Sequence, residues 1–502
     1  MQDKLQELKN RLMEIYDLDA AAAVLGWDQM TYMPAGGAPA RARQTALLAR
    51  LSHEKLTDPA LGRLLDGLRP LEESLPYDSD DASLIRVARR NYERAVRVPP
   101  SLVAEINSHR AESYQVWAQA RPADDFAAVQ PYLEKTLDLS RQLANCFPGY
   151  EHIADPLIDY ADYGMKASTV GALFALLRQQ LVPIVKAIGE RPVADDSCLH
   201  QHFPEQQQWD FGLEVVRRFG YDLERGREDR TLHPFTTGFS IGDVRITTRV
   251  RQDDVADALF STMHESGHAM YEQGIRADLE GTPLAQGTSS GVHESQSRLW
   301  ENLVGRSRPF WQYFYPRLRA VFPQQLGSVS LDTFYAAINK VERSLIRVDA
   351  DEVTYNLHVM LRFDFELALL EGKLAVRDLP EAWRERFKAD LGIVPPDDRD
   401  GILQDVHWYA GSIGGQFQGY TLGNVLGAQF FDAALRAHPG IPGELAAGEF
   451  GTLHGWLKEN VYQHGSKFTA AELVERVCGG PMSIDPYIRY LCEKYGELYA
   501  LP

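Results

Sequence analysis

Cysteine is scarce: there are four in 502 residues, at positions 146, 198, 478 and 492, and no two form a close CxxC pair. That spacing speaks against a disulfide framework and a thiolate metal site, and makes a reducing cytoplasm the expected compartment. Long apolar runs are missing as well. No stretch approaches the roughly 20 apolar residues that cross a bilayer. The opening MQDKLQELKNRLMEIYDLDAAAAVLGWDQM alternates charged and apolar positions at helical spacing, without the basic start and apolar run of an export signal. Neither export nor a membrane role is expected. Positive charge is in deficit too, with 52 Lys and Arg against 70 Asp and Glu and a formal net charge of −18. This excludes a broad grip on nucleic acid or anionic lipid, which needs a positive field. A site that receives a carboxylate must therefore supply its own arginine.

What is present is the composition of an ordinary globular protein, 44% hydrophobic and 24% charged, so the fold must be read from pattern. Apolar residues recur at helical spacing over roughly 1–22, 37–54, 81–97, 99–119, 127–146, 168–190, 206–219, 254–273, 293–320, 331–370 and 453–462. A mainly α protein is expected. Turn-rich breaks at 191–204 and 392–401 do not resemble long linkers, and no internal repeat is visible. The expectation is one domain over 1–502, with two lobes flanking a cleft as a variant. One segment differs: FTTGFSIGDVRITTRV, 235–250, is rich in Thr, Val, Ile and Phe and predicts a strand or hairpin. Its edge, placed just before the helix at 254–273, is suited to hold an extended peptide by backbone hydrogen bonds.

That helix carries the chemistry. DDVADALFSTMHESGHAMYEQG places Val255, Leu259 and Met263 at four-residue steps and stops at Gly274. His264 and His268 are one turn apart, so both imidazoles leave the same face and can meet one metal ion. Glu265 projects beside such an ion, where it can take a proton from bound water. This is the HExxH arrangement; the bland alternative is a surface helix with two histidines and an acid by chance. A hydrolytic zinc site uses three protein ligands and keeps one position for water. Glu294, in GVHESQSRLWEN at the start of a second helical stretch, is the candidate third ligand; the alternative is an N-terminal capping acid. Its neighbour His293 is expected to point elsewhere. Two histidines and a carboxylate favour Zn2+, with Co2+ or Mn2+ as substitutes.

Several segments together resemble the carboxypeptidase Taq family of metallocarboxypeptidases: WDQMTYMPAGGAPARARQ near the N-terminus, DVRIT at 243–247, HESGH at 264–268, HESQSRLWEN at 293–302, IRVDADE at 346–352 and GILQDVHW at 401–408. The resemblance implies a mostly helical, two-lobed molecule of neurolysin-like architecture around a deep groove, with a small sheet beside the HExxH helix. It also implies removal of single residues from peptide C-termini with broad side-chain tolerance, and a homodimer. It supports His264, His268 and Glu294 as ligands and Glu265 as general base. Arg347 matches the position that receives the terminal carboxylate, a task a planar guanidinium performs through parallel hydrogen bonds; the alternative is an ion pair with Asp349 or Asp351. His407 is the expected donor to the developing oxyanion, with Gln404 and Asp405 orienting it or binding peptide, unless it is simply a packed core histidine. Tyr420 is a further oxyanion candidate, although Gln416 and Gln418 stand where the family usually carries tyrosine and proline. Arg245 either closes one end of the groove and fixes substrate backbone or faces solvent. His200 and His202 form an HxH pair without a completing carboxylate, expected at the surface.

Two other functions fit less of this pattern. An endo-oligopeptidase or dipeptidyl carboxypeptidase would use the same zinc site with Arg347 purely structural. A non-catalytic peptide-binding protein would have no need of Glu265.

Overall fold

The helical periodicity is realised along most of the chain. In the computed structural model, which describes residues 1–501, helix accounts for 69% of the protein and the strands form a single three-stranded sheet. The apolar stripes segregate into a large core, a smaller one and a minor cluster of Val98, Leu102 and Leu139. In the smaller, Leu5, Leu8, Leu12 and Ile15 of helix Gln2–Thr31 meet Leu61, Leu64, Leu65 and Leu68 of Pro59–Ser74 and Leu84 and Ile85 of Asp80–Arg97. Three- and four-residue spacing gives each helix one apolar face, and burying those faces together is what holds the unit. It reaches Ile241 in the hairpin turn and Ile275, Leu279 and Leu284 beyond the HExxH helix, so the N-terminal helices rest on the elements that frame the site.

Several helix limits differ from the sequence reading. The first helix runs to Thr31 rather than 22. The stretch 293–320 divides into Ser290–Arg298, a π-helical turn Leu299–Val304 and a new helix Arg308–Val321. That helix is started by Ser307, whose side chain accepts from Phe310 N, and by Pro309 in its first turn. The stretch 331–370 divides into Leu331–Ile338 and Tyr355–Leu370. Asp351 accepts from Val353 N and Thr354 N in the turn that precedes the second, and 339–354 is irregular apart from that turn and a short one at Arg347–Asp349. Helices Leu379–Leu391, Gln418–Ala437 and Asp485–Tyr499 were not anticipated. Among the described residues one helix, Ala167–Gly189, is long and apolar enough to cross a membrane, contrary to the expectation that no such stretch exists. It buries Val170, Phe174, Leu177, Leu181 and Val185 and packs on Tyr355–Leu370.

The predicted hairpin is present as β2 (Phe235–Ser240) antiparallel to β3 (Asp243–Thr248), joined by an unanticipated parallel strand β1 (Glu228–Arg230) in the order β1-β3-β2. β3 alternates: Val244 and Ile246 are buried and Arg245 leaves the opposite face. The HExxH helix, Val255–Gly274, is capped by Asp254, which accepts from Ala256 N and Asp257 N, and packs on β2 and β3.

Two glycines decide how helices meet there. A Cβ on Gly267 would stand 2.5 Å from the carbonyl oxygen of Gln296 and 2.6 Å from Cα of Ser297, so the HExxH helix and Ser290–Arg298 touch backbone to backbone. A Cβ on Gly423 would fall 2.4 Å from Cγ of Glu294. Three helices thereby converge on one glutamate.

Candidate active site

One donor oxygen or nitrogen each from His264, His268 and Glu294 lies within 4.8 Å of the others, a group of three. Nε2 of His264 is 3.7 Å and Nε2 of His268 is 3.4 Å from Oε2 of Glu294. The rings cross at 80° with centroids 5.0 Å apart, as two histidines one turn apart on a helix would be placed around a shared ion.

The far nitrogen of each imidazole is engaged. Nδ1 of His264 meets Oε2 of Glu301 at 2.9 Å. Nδ1 of His268 meets Nδ1 of His293 at 2.6 Å, and Nε2 of His293 meets Oε1 of Glu272 at 2.7 Å. The tautomers follow from the acceptors. Glu272 accepts the Nε2 proton of His293, so Nδ1 of a neutral His293 accepts from His268, whose Nε2 keeps its lone pair toward Glu294. Carboxylate-backed imidazoles of this kind orient metal ligands. His293, which was expected to point elsewhere, instead reaches across to the HExxH helix.

Arg298 completes the frame. Its Nε donates to Oε1 of Glu294 at 2.8 Å and its Nη1 to Oε2 of Glu301 at 3.2 Å. Burial pushes both carboxyls up, but Arg298 and the histidines outweigh it, holding Glu294 well below the usual carboxylate range and Glu301 down to about 2. Burial likewise takes His268 down to about 4. Burial would lower His264 too, yet Glu294 and Glu301 raise it on balance. Two imidazoles and a carboxylate, each turning one ligand atom toward the others, form a donor set that fits a divalent ion. The glutamates and arginine at 294, 298 and 301 stand four and three residues apart, a one-face spacing that was readable in the sequence.

Glu265 is 7% exposed, and Oγ1 of Thr236 on β2 lies 2.7 Å from its Oε2. Burial raises its pKa, opposed by His264 and by that hydrogen bond. His264, Glu265, Arg298, Arg347 and Tyr355 line one cleft of about 730 Å³.

Arg347 is 5% exposed. Its partner is neither Asp349 nor Asp351 but Asp405, which accepts from Nε at 3.1 Å and Nη2 at 2.7 Å, while Nη1 donates to the Tyr355 hydroxyl at 2.9 Å. Arg362 donates its Nε to the same carboxylate. Burial raises Asp405, but the two guanidiniums hold it well below the ordinary range. Gln404 accepts from Arg347 N at 2.8 Å and donates to Leu345 O at 2.9 Å. Nε2 of His407 is 3.2 Å from the Tyr420 hydroxyl, and the Tyr420 ring lies 5.3 Å from the Arg347 guanidinium. Burial pushes the Tyr420 phenol up to about 12.

The structure thus gathers Arg347, Gln404, Asp405, His407 and Tyr420 into one cluster. Arg245 joins none of them: it pairs with Asp243 at 2.7 Å and 2.8 Å and lies against Trp27 and Phe239. His200 is half exposed as expected, but it does have carboxylates nearby, Asp196 at 3.3 Å and Asp254 at 3.7 Å. Thr236, Glu272, Glu301, Tyr355 and Arg362 were absent from the sequence reading; apart from Glu301, their link to the site is a matter of tertiary contact.

A helical fold that brings an HExxH pair and a downstream glutamate onto one point, with the motif glutamate buried alongside, is that of a metallopeptidase. Comparison with known proteins narrows the class. The family model for carboxypeptidase Taq (M32) metallopeptidase matches residues 7–495, and the chain belongs to that family. It is 45% identical to thermostable carboxypeptidase 1 of Thermus thermophilus over 96% of each chain, and 35% identical to carboxypeptidase 1 of Bacillus subtilis over 99% of each. Among solved structures, the M32 carboxypeptidase from Deinococcus radiodurans superposes with a TM-score of 0.96 at 50% identity, covering 99% of this chain and 100% of that one. Trypanosoma cruzi metallocarboxypeptidase 1 gives 0.94 at 30% identity, with 99% and 100% covered.

Proposed function

We propose that this metallocarboxypeptidase is zinc-dependent and removes single residues from peptide C-termini with broad side-chain tolerance. The observation that carries the reading is that Glu265 and Arg347 line the same cleft, so a group able to move a proton and a group able to bind a carboxylate face one substrate. His264, His268 and Glu294 would hold the ion, which when bound supplies Lewis acidity toward the scissile carbonyl and the attacking water. Glu265 takes the water proton and passes it to the leaving amine nitrogen; its burial suits a carboxyl that must hold the proton between the two transfers. Arg347 receives the terminal carboxylate. Asp405 takes its Nε–H and one Nη2 proton and Tyr355 one Nη1 proton, leaving one proton on each Nη for the ligand. The His407 and Tyr420 pair supplies a hydrogen bond to the developing oxyanion. Gln404 and Asp405 act through Arg347, fixing its backbone and its guanidinium. The size of the cleft supports tolerance of different terminal side chains. A homodimer in a reducing cytoplasm completes the reading.

The hold of Asp405 on Arg347 also favours a second reading, in which this arginine is structural and the enzyme releases dipeptides or cuts internally. Mass spectrometry of a digested peptide separates the two. Loss of one residue at a time, stopped by C-terminal amidation, is expected; internal or dipeptide cuts that ignore amidation would overturn the exopeptidase register. Elemental analysis of the purified protein tests zinc.

A further inference from the structure

We infer that the C-terminal helix Asp485–Tyr499 is the template that sets Arg347 in place, and that Tyr490, Lys494 and Tyr495 are positioning residues for recognition of the peptide's terminal carboxylate. The inference rests on the reading of Arg347 given above. The segment 339–354 that carries Arg347 has no strand partner and only one short helical turn, so side chains must fix its path.

The C-terminal helix supplies them from one face, on both sides of Arg347. Tyr499 Oη accepts from Val341 N at 2.7 Å. The Glu352 carboxylate accepts from the hydroxyls of Tyr490 at 3.1 Å and Tyr495 at 2.6 Å and from Nζ of Lys494, while Tyr487 donates to Glu352 O at 2.9 Å. Glu352 and Lys494 are buried, with side chains 4% and 6% exposed. A buried ion pair is a weak source of stability, because desolvating both charges offsets their attraction. What it does do is penalise every arrangement that leaves one charge unpaired. Here the arrangement so enforced is the one that presents Arg347, and Glu352 and Tyr495 line the same cleft as the guanidinium.

The test uses the full-length, metal-loaded protein and two variants. Tyr490→Phe/Tyr495→Phe removes two hydroxyls and keeps the rings. Glu352→Gln/Lys494→Met removes the charge pair without leaving either charge alone. Hydrogen exchange at 341–352 is expected to quicken in both while the HExxH helix stays protected. KM for a peptide with a free carboxylate is expected to rise about tenfold, with kcat within about twofold and metal content unchanged. Unaltered exchange and KM, or a fall in kcat and metal content at constant KM, would overturn the inference. Arg347→Ala, measured beside them, separates the two claims. An unchanged KM there removes the receptor reading; a raised KM there with unchanged KM in the helix variants removes the template alone.

Discussion

The group of His264, His268 and Glu294 and the arginine that shares its cleft are held by opposite means. His264, His268 and Glu294 ride on two helices whose backbones touch at Gly267, with a third helix seated against Glu294 at Gly423. Arg347 stands in an irregular segment, and its place is set by Asp405, Gln404, Tyr355 and the face of the C-terminal helix. Backbone packing leaves little latitude, since a single added methyl must displace a main chain. A side-chain network degrades in steps, one hydrogen bond at a time. The donor side should therefore fail abruptly under substitution and the arginine side gradually.

The largest effect should come from a change that leaves that architecture alone. Glu265→Gln keeps shape and burial but cannot carry the proton, and turnover should fall by roughly 10³-fold or more with metal content intact. Steady-state rates with elemental analysis of the same sample check this. Normal turnover would mean that Glu265 is not the group that carries the proton.

Gly267→Ala attacks the packing itself. The new Cβ meets the carbonyl oxygen of Gln296 at 2.5 Å, and since neither helix is free to withdraw, stability should drop by about 3 kcal/mol. Metal affinity should fall with it, because separating the helices separates Glu294 from the histidines. Denaturant unfolding and metal titration measure the two; a stable variant with normal affinity would show that the backbones can part without cost.

His293→Leu sharpens the comparison from within the donor side, since it removes a side-chain support rather than a backbone contact. His268 would lose the acceptor that fixes its tautomer, and metal affinity should weaken by about 10- to 100-fold. Chelator competition reads this directly, and the fold should be retained. An unchanged affinity would mean that the helix alone orients His268.

The same division explains what the sequence disclosed. The HExxH helix was expected at 254–273 and lies at Val255–Gly274, and Glu294 was singled out with it, because helical periodicity and a one-turn spacing are local properties. The hairpin followed from β-branched alternation for the same reason. The break at Ser307 and Pro309 was written in the chain as a cap followed by a proline, and the continuous apolar pattern hid it. Nothing local joins Arg347 to Asp405, 58 residues on, or Glu352 to Tyr495, 143 residues on. The motif context drew attention to the arginine and its surroundings, but its partner and its template exist only in the folded chain.

The smallest effect belongs to the side that carries Arg347 and His407. Glu366 is 1% exposed; Trp408 Nε1 donates to its Oε1 at 3.0 Å, and its Oε2 is buried without a hydrogen-bond partner. It thus ties down Trp408, the neighbour of His407. Burial pushes its carboxyl up from 4.5 to about 7, against the pull of the Trp408 indole. With the folded-state pKa above the unfolded one, the unfolded chain releases the proton first as pH rises. The stability this group contributes is therefore whole below about pH 4.5 and is lost progressively as pH climbs through about 7. Glu366→Gln cannot titrate, so the variant should gain on the parent across that window by on the order of 2 kcal/mol. Unfolding by denaturant at pH 5 and pH 8 measures the difference. Parallel pH profiles for the two proteins would show that the buried carboxyl titrates alike folded and unfolded.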